Sequence, residues 1–200
     1  ADFHTTVSKM ADIPRDQAKT INLGLFYGMG KAKLQAELGV SKEKAEELFA
    51  QYHAKVPFVK QLMKSVSNRA QQRGQIRTLL GRLCRFHLWE PNRFGINKAL
   101  PFEQAVQEHG QGNIRRAYTY KALNKLIQGS AADMTKKSML DLYKEGIIAH
   151  IQIHDELDLS VESPEQAKKV VEIMENAVKL DVPNKVDYES GKNWGDIYDK

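Results

Sequence analysis

Arg15-Asp16-Gln17-Ala18-Lys19-Thr20-Ile21-Asn22-Leu23-Gly24-Leu25-Phe26-Tyr27-Gly28 reads as one helix with a cationic start and an aromatic end. Pro14 suits the first helical turn, Asp16 stands near the positive end of the helix dipole, and Gly28-Met29-Gly30 ends the segment. Each four-residue step on a helix turns about 40° and climbs about 6 Å. Arg15 and Lys19 therefore project as neighbouring cations, followed by Leu23 and then Tyr27 on one slowly drifting stripe. A nucleoside triphosphate presents the same order of chemistry: phosphates, then sugar, then a flat base. The Arg fork can bond two phosphate oxygens, and the Lys ammonium adds a compact charge. Gly24 and Gly28 lack side chains on the same stretch and allow a backbone or a base to come close. A bare Arg-x-x-x-Lys is ordinarily a solvated helix face, so the specificity lies in the whole string.

Working outward, Ala45, Leu48, Phe49 and Tyr52 share one face of a second helix closed by Pro57. Val59, Leu62, Met63, Val66 and Ala70 mark a third, stopped by Gly74. Ile76 to Phe86 is β-compatible and broken by Gly81, which predicts a short hairpin. Residues 90–113 hold Pro91, Gly95, Pro101, Gly110 and Gly112 without clean periodicity and read as a long connection or an insertion. A long helix is expected from about Arg115 to Tyr143, ended by Gly146. Two strands follow, Ile147 to Ile153 and Leu157 to Val161, around His154-Asp155-Glu156. Ser163-Pro164-Glu165-Gln166 is a capping box opening a helix with Ala167, Val170, Val171, Met174 and Ala177 on one face.

Charge is uneven along the chain. Residues 1–140 carry 23 Lys/Arg against 11 Asp/Glu, whereas residues 141–200 carry 7 against 14. The basic part suits a polyanion such as nucleic acid. The acidic part suits a metal site or an ordinary soluble surface. Cys84 is the sole cysteine, so no disulfide within the chain and no cysteine-based zinc site can form, and a reducing, cytoplasmic setting fits. No apolar run approaches the roughly 18 residues that would suggest a membrane span.

Two further constellations bear chemistry. Asp155 and Glu156 are adjacent carboxylates at a tight turn, where they repel unless a counterion or partner intervenes. A hard divalent cation with oxygen ligands, Mg²⁺ above all, would serve, and so would a plain polar hairpin. Asn124 and Gln128 share a helix face, and their amides can read the minor-groove acceptors common to all base pairs or satisfy one another's needs in a core.

The string from Arg15 to Gly28 closely resembles the fingers-helix motif of the DNA polymerase I family, RxxAKxxNxGxxYG. Asn124-Lys125-Leu126-Ile127-Gln128-Gly129-Ser130-Ala131-Ala132-Asp133 resembles the family's N-x-x-x-Q-G-[ST]-A-A-D segment, and Ile153-His154-Asp155-Glu156-Leu157 resembles its palm hairpin. Asp2-x-His4-Thr5 stands where members have D-x-H-T, and Gly191-Lys192-Asn193-Trp194 resembles the closing G-x-x-W. These matches span nearly the whole chain in the expected order, and Lys121-Ala122-Leu123-Asn124 has a phage character. The resemblance implies an α+β, mostly helical fold: fingers over 1–75 and a partial palm over 76–200, with the connection 90–113 inserted and the metal-binding hairpin at 147–161. It implies attack of a primer 3′-oxygen on the α-phosphate of a dNTP, with two Mg²⁺ ions about 3.5–4 Å apart. By the same resemblance, His4, Arg15, Lys19, Leu23 and Tyr27 meet the dNTP, and Tyr27, Asn124, Gln128 and His154 meet primer-template DNA. Asp155 binds metal, and Glu156 and Lys19 complete the catalytic group. No membrane partner is implied, and nothing in the sequence specifies a processivity factor.

Three departures matter. Leu23 stands where an aromatic residue usually stacks on the incoming nucleotide, and Tyr120 replaces an Arg common four residues before the Asn. The family's other metal-binding aspartate belongs to a D-Y-S-x-x-E-type strand expected upstream of His4, outside residues 1–200. A single-subunit RNA polymerase shares an Arg/Lys helix ending in Tyr-Gly and a His-Asp turn, although Glu156 and the segment Gln128–Asp133 favour DNA synthesis. A non-catalytic relative that only binds nucleic acid is the third reading.

Overall fold

The computed structural model describes residues 3–11, 13–93, 95 and 97–198. Asp2 of the Asp2-x-His4-Thr5 motif and the side chain of Asp16 lie outside that description. The chain divides into two compact units, Ala1–Ile127 and Gln128–Lys200.

The first unit begins with α1 (Phe3–Ala11), which packs on α2 (Arg15–Phe26), followed by α3 (Lys31–Leu38), α4 (Lys42–Lys55) and α5 (Pro57–Arg73). Its helical core joins Ala18, Ile21 and Leu25 of α2 to Leu34 of α3 and to Leu48 and Tyr52 of α4. Spacings of three and four place the α2 residues on one stripe, so the sequence that makes the exposed face also makes the buried one. Ser41 caps α4 by accepting from the Lys44 backbone N–H at 3.2 Å. Pro57, read as the close of the second helix, also stands at the first turn of α5.

Beyond α5, β1 (Gln75–Arg77) and β2 (Leu83–Arg85) form the antiparallel hairpin predicted over residues 76–86. Residues 90–113 depart from expectation. They contain the end of β3 (Trp89–Pro91) and a helix, α6 (Phe102–His109), and β3 pairs antiparallel with β4 (Ile114–Arg116). The apolar spacing Phe102, Ala105, Val106 was short and hidden between Pro101 and Gly110. The strand pairing also shortens the long helix. Arg115 and Arg116 belong to β4, and α7 runs Ala122–Lys144. The small and polar stretch Gln128-Gly129-Ser130 lies inside it without a break. A second cluster of the first unit packs Val66 and Ala70 of α5, Ile76, Phe86, Ala122 and Leu123.

The second unit holds the rest of α7, the hairpin β5 (Ile151–Ile153) and β6 (Glu156–Asp158), α8 (Pro164–Asn176) and the short α9 (Gly195–Tyr198). Leu142, Ile147 and Val170 form its core, with Leu157, Leu159, Ile173 and Met174 packed on them. The strands are shorter than the apolar runs that predicted them. The capping box forms with a shift: Ser163 Oγ accepts from Gln166 N at 3.2 Å, while Gln166 Oε1 accepts from Glu162 N at 2.6 Å. Helices α1, α3 and α6 were not expected. In α3 only Leu34 is buried, so it carried little periodicity.

Candidate functional site

On α2 the division of labour is clear. Ala18, Ile21, Asn22 and Leu25 are buried, whereas Arg15, Lys19 and Leu23 are exposed and Tyr27 is half-buried. The stripe read from four-residue spacing is thus the open face of a helix anchored along its other side. Tyr27 is the C-cap, its ring edge-on to Phe26 at 5.6 Å.

The close approaches expected at Gly24 and Gly28 are made by the protein's own side chains. A Cβ at Gly24 would collide with the side chain of Met29. One at Gly28 would stand 2.8 Å from the Met63 methyl, and its φ of +90 is one that L side chains rarely adopt. Both glycines therefore permit the sharp exit from α2.

Asn22 is the position in this stretch that motif spacing alone left without a structural account. It is 3% exposed among apolar neighbours, and its Oδ1 accepts from the Tyr52 hydroxyl at 3.0 Å. Its Nδ2 lies 3.1 Å from Nδ1 of His4 on α1. One buried amide thus ties the His4 ring of α1 to α2 and to Tyr52 of α4. A polar residue inside an apolar i, i+3, i+4 stripe was the signal that could have found it. Burial pushes the Tyr52 hydroxyl pKa up to about 12.

The β5–β6 hairpin pairs Ile153 with Glu156 and leaves His154 and Asp155 as its turn. His154 has a φ of 53, a left-handed conformation uncommon for a non-glycine residue, and its carbonyl accepts from Gln152 Nε2 at 2.6 Å. Residues 151–156 are all exposed. Asp155 and Glu156 therefore stand together in the open. Glu156 and Asp158 share a strand face, and Asp158 Oδ2 is buried without a hydrogen-bond partner. The oxygen chemistry of Asp155 fits a hard cation. Among the described residues no group of three or more His, Cys, Asp or Glu could hold a metal ion. Asp155 and Glu156 fit as one arm of such a site and are too few to balance two divalent ions.

On α7, Asn124 is half-buried and Gln128 exposed, four residues apart on one helix. Asp133 of the same segment is buried. Lys125 lies 5.7 Å from the Phe86 ring centroid. No helix among the described residues is long and apolar enough to cross a membrane.

Comparison with known proteins gives one consistent result. The family model described as DNA polymerase family A matches residues 2–196. The chain is similar to a DNA-directed DNA polymerase of Pseudomonas phage M6, 34% identical over 97% of this chain and 31% of the relative. It is similar also to DNA polymerase I of Geobacillus stearothermophilus, 36% identical over 97% of this chain and 21% of that protein. Among solved structures, the POL domain of Pol1 from M. smegmatis, in complex with DNA primer-template and dNTP, matches with a TM-score of 0.69 and 29% identity. That match covers 92% of this chain and 32% of the other. The chain thus spans between about a fifth and a third of these relatives.

Proposed function

This chain belongs to DNA polymerase family A, and on that premise we propose that it is the fingers and part of the palm of an enzyme that extends a primer on a DNA template. Residues 1–75 are assigned to the fingers and 76–200 to the palm. The observation that carries the reading is the exposed stripe Arg15, Lys19, Leu23, Tyr27 on a helix whose opposite side is buried.

Arg15 and Lys19 bind and orient the triphosphate, and their charge opposes the negative charge that develops on the reacting phosphate. His4, tied to α2 by Asn22, meets the triphosphate. Leu23 covers the sugar and base, and Tyr27 closes the stripe against the template. Asn124 and Gln128 read minor-groove acceptors beside the primer end, and His154 contacts the primer. Asp155 is the Mg²⁺ ligand, and Glu156 supports the site from the adjacent position. Bound Mg²⁺ supplies Lewis-acid stabilisation of the attacking and leaving oxygens. Holding the reactants in line is the protein's share of the work. The reaction adds one dNTP to the primer 3′ end and releases pyrophosphate. A cytoplasmic setting follows from this role.

The test is primer extension by the complete protein with Mg²⁺, offered deoxy- or ribonucleotides. Extension with deoxynucleotides is the expected result. Preference for ribonucleotides would move the reading to a single-subunit RNA polymerase. Duplex binding without nucleotide addition would leave a nucleic-acid-binding relative.

A further inference from the structure

Two non-glycine residues among those described have positive φ: His154 at the proposed metal turn, and Tyr118 with a φ of 62. Tyrosine in the left-handed region costs about 1 kcal/mol or more, and such strain gathers where the surrounding structure holds a residue for use. Tyr118 lies in the connection from β4 to α7, and its neighbours explain how the conformation is held.

The connection is fixed at both ends. Ala117 is buried and donates its N–H to Leu88 O at 2.8 Å. Arg116 donates to Gln71 O at 3.2 Å and Phe86 O at 2.9 Å, and its guanidinium lies 4.5 Å over the Trp89 ring. Thr119 Oγ1 is 3.3 Å from Gln71 Oε1, and Ala122 and Leu123 enter the core. Between these anchors three side chains are thrown outward. Tyr118 is 40% exposed and Tyr120 is 64% exposed. The Lys121 ammonium stands 5.2 Å from the first ring centroid and 5.6 Å from the second.

A single exposed tyrosine is ordinary. Two rings one residue apart, sharing one ammonium on a loop with buried anchors, form an ordered platform that joins flat aromatic surface to positive charge. We propose that Tyr118, Tyr120 and Lys121 form a stacking platform for unpaired bases of single-stranded DNA, separate from the minor-groove contacts assigned to Asn124 and Gln128. The rings take base faces, which every base has, and the ammonium meets the connecting phosphate. Because the order of the loop is set by its anchors, little conformational entropy is lost on binding. The choice of DNA rests on the family, whereas the platform itself does not depend on nucleotide addition.

The experiment is equilibrium binding without nucleotides: fluorescence anisotropy of the chain with labelled oligo(dT) and with a blunt duplex. Tyr120→Ala weakens oligo(dT) binding at least about fivefold, as expected for one lost stacking contact, and changes duplex binding less than about twofold. Tyr120→Phe retains the ring and binds within about twofold of the unchanged chain. Tyr118→Gly accepts the left-handed φ without strain, so it removes the ring while preserving the fold, and shows a similar loss. Lys121→Ala lowers the salt dependence of oligo(dT) binding by roughly 0.7 in log–log slope. A 2-aminopurine placed in the oligonucleotide is quenched by the unchanged chain and less by Tyr120→Ala. Equal losses on duplex and single strand, or no loss for either ring, would overturn the proposal. So would a Tyr120→Phe defect as large as that of Tyr120→Ala, which would point to the hydroxyl instead of the ring.

Discussion

Helix α2 and the β5–β6 turn both offer charge to the same proposed reaction, and they hold it in opposite ways. On α2, Arg15 and Lys19 ride on a helix whose other side is buried through Ala18, Ile21 and Leu25 and pinned by Asn22. At the turn, residues 151–156 are exposed, and position rests on a three-pair register, a left-handed His154 and one bond from Gln152. The helix carries its own support. The turn stands open to solvent, and Ile151 and Ile153 on β5, 43% and 36% exposed, add apolar surface to it. Packing therefore positions one region, and the other is held by a short hairpin register.

The largest effects should separate the two regions by chemistry. In the complete protein, Asp155→Ala removes the proposed metal ligand and is expected to slow nucleotide addition by several kcal/mol, on the order of 10³-fold or more. Lys19→Ala should follow at about 10²–10³-fold, the usual worth of one preorganised contact to developing charge. Neither should change primer-template affinity comparably, as read by single-turnover kinetics beside a binding titration. Equal losses in affinity and rate for Lys19→Ala would remove it from the reacting phosphate. Divalent-ion dependence sharpens the contrast, because raising Mg²⁺ should leave the Lys19→Ala defect in place.

How much of this was legible beforehand follows the same division. The open face of α2 could be read because helix period and residue chemistry coincide, and Arg15, Lys19 and Leu23 are exposed as the spacing implied. The Ser163 cap and the hairpin over β1 and β2 were visible for the same local reasons. The β3–β4 pairing was not legible, because its partners lie more than twenty residues apart and only tertiary contact joins Trp89 to Arg116. That pairing converts the start of the expected long helix into strand, an override of local propensity by register. The roles of Asn22 and Arg116 were equally hidden, since each depends on groups brought from distant segments.

The next effect is on stability and falls on the packing behind α2, away from the turn. Asn22→Ala leaves the buried Tyr52 hydroxyl without its acceptor and is expected to cost about 1–3 kcal/mol in denaturant unfolding. Tyr52→Phe leaves the Asn22 Oδ1 without its donor but keeps the Asn22–His4 contact, and should cost no more than Asn22→Ala. It also tests the pH dependence. Burial raises the folded Tyr52 pKa to about 12, above the ordinary tyrosine value near 10, so stability is full below about pH 10 and falls as pH rises toward 12. The unfolded chain ionises there while the folded one resists. Tyr52→Phe should flatten that part of the profile, and an unchanged alkaline slope would mean that Tyr52 is not the group responsible.

The smallest effect concerns the base-facing end of the α2 stripe. Leu23 is 44% exposed on the same face as Arg15 and Lys19, so a nucleotide held by those cations reaches it with its sugar and base. Leucine offers apolar contact with no flat face, and it cannot stack. Phenylalanine at this position has room to turn outward, because the site is open to solvent and no buried neighbour must yield. Ring–base stacking is worth about 0.5–1.5 kcal/mol beyond area, so Leu23→Phe should tighten nucleotide binding roughly twofold to tenfold. The gain belongs to binding, because the ring touches the base in both ground and transition states, and the maximal addition rate should move less than the apparent nucleotide Kd. A flat ring against the sugar should also change discrimination between deoxy and dideoxy substrates. Pre-steady-state addition across a nucleotide series measures both. If neither the Kd nor the discrimination moves, residue 23 does not face the nucleotide, and the stripe ends at Lys19.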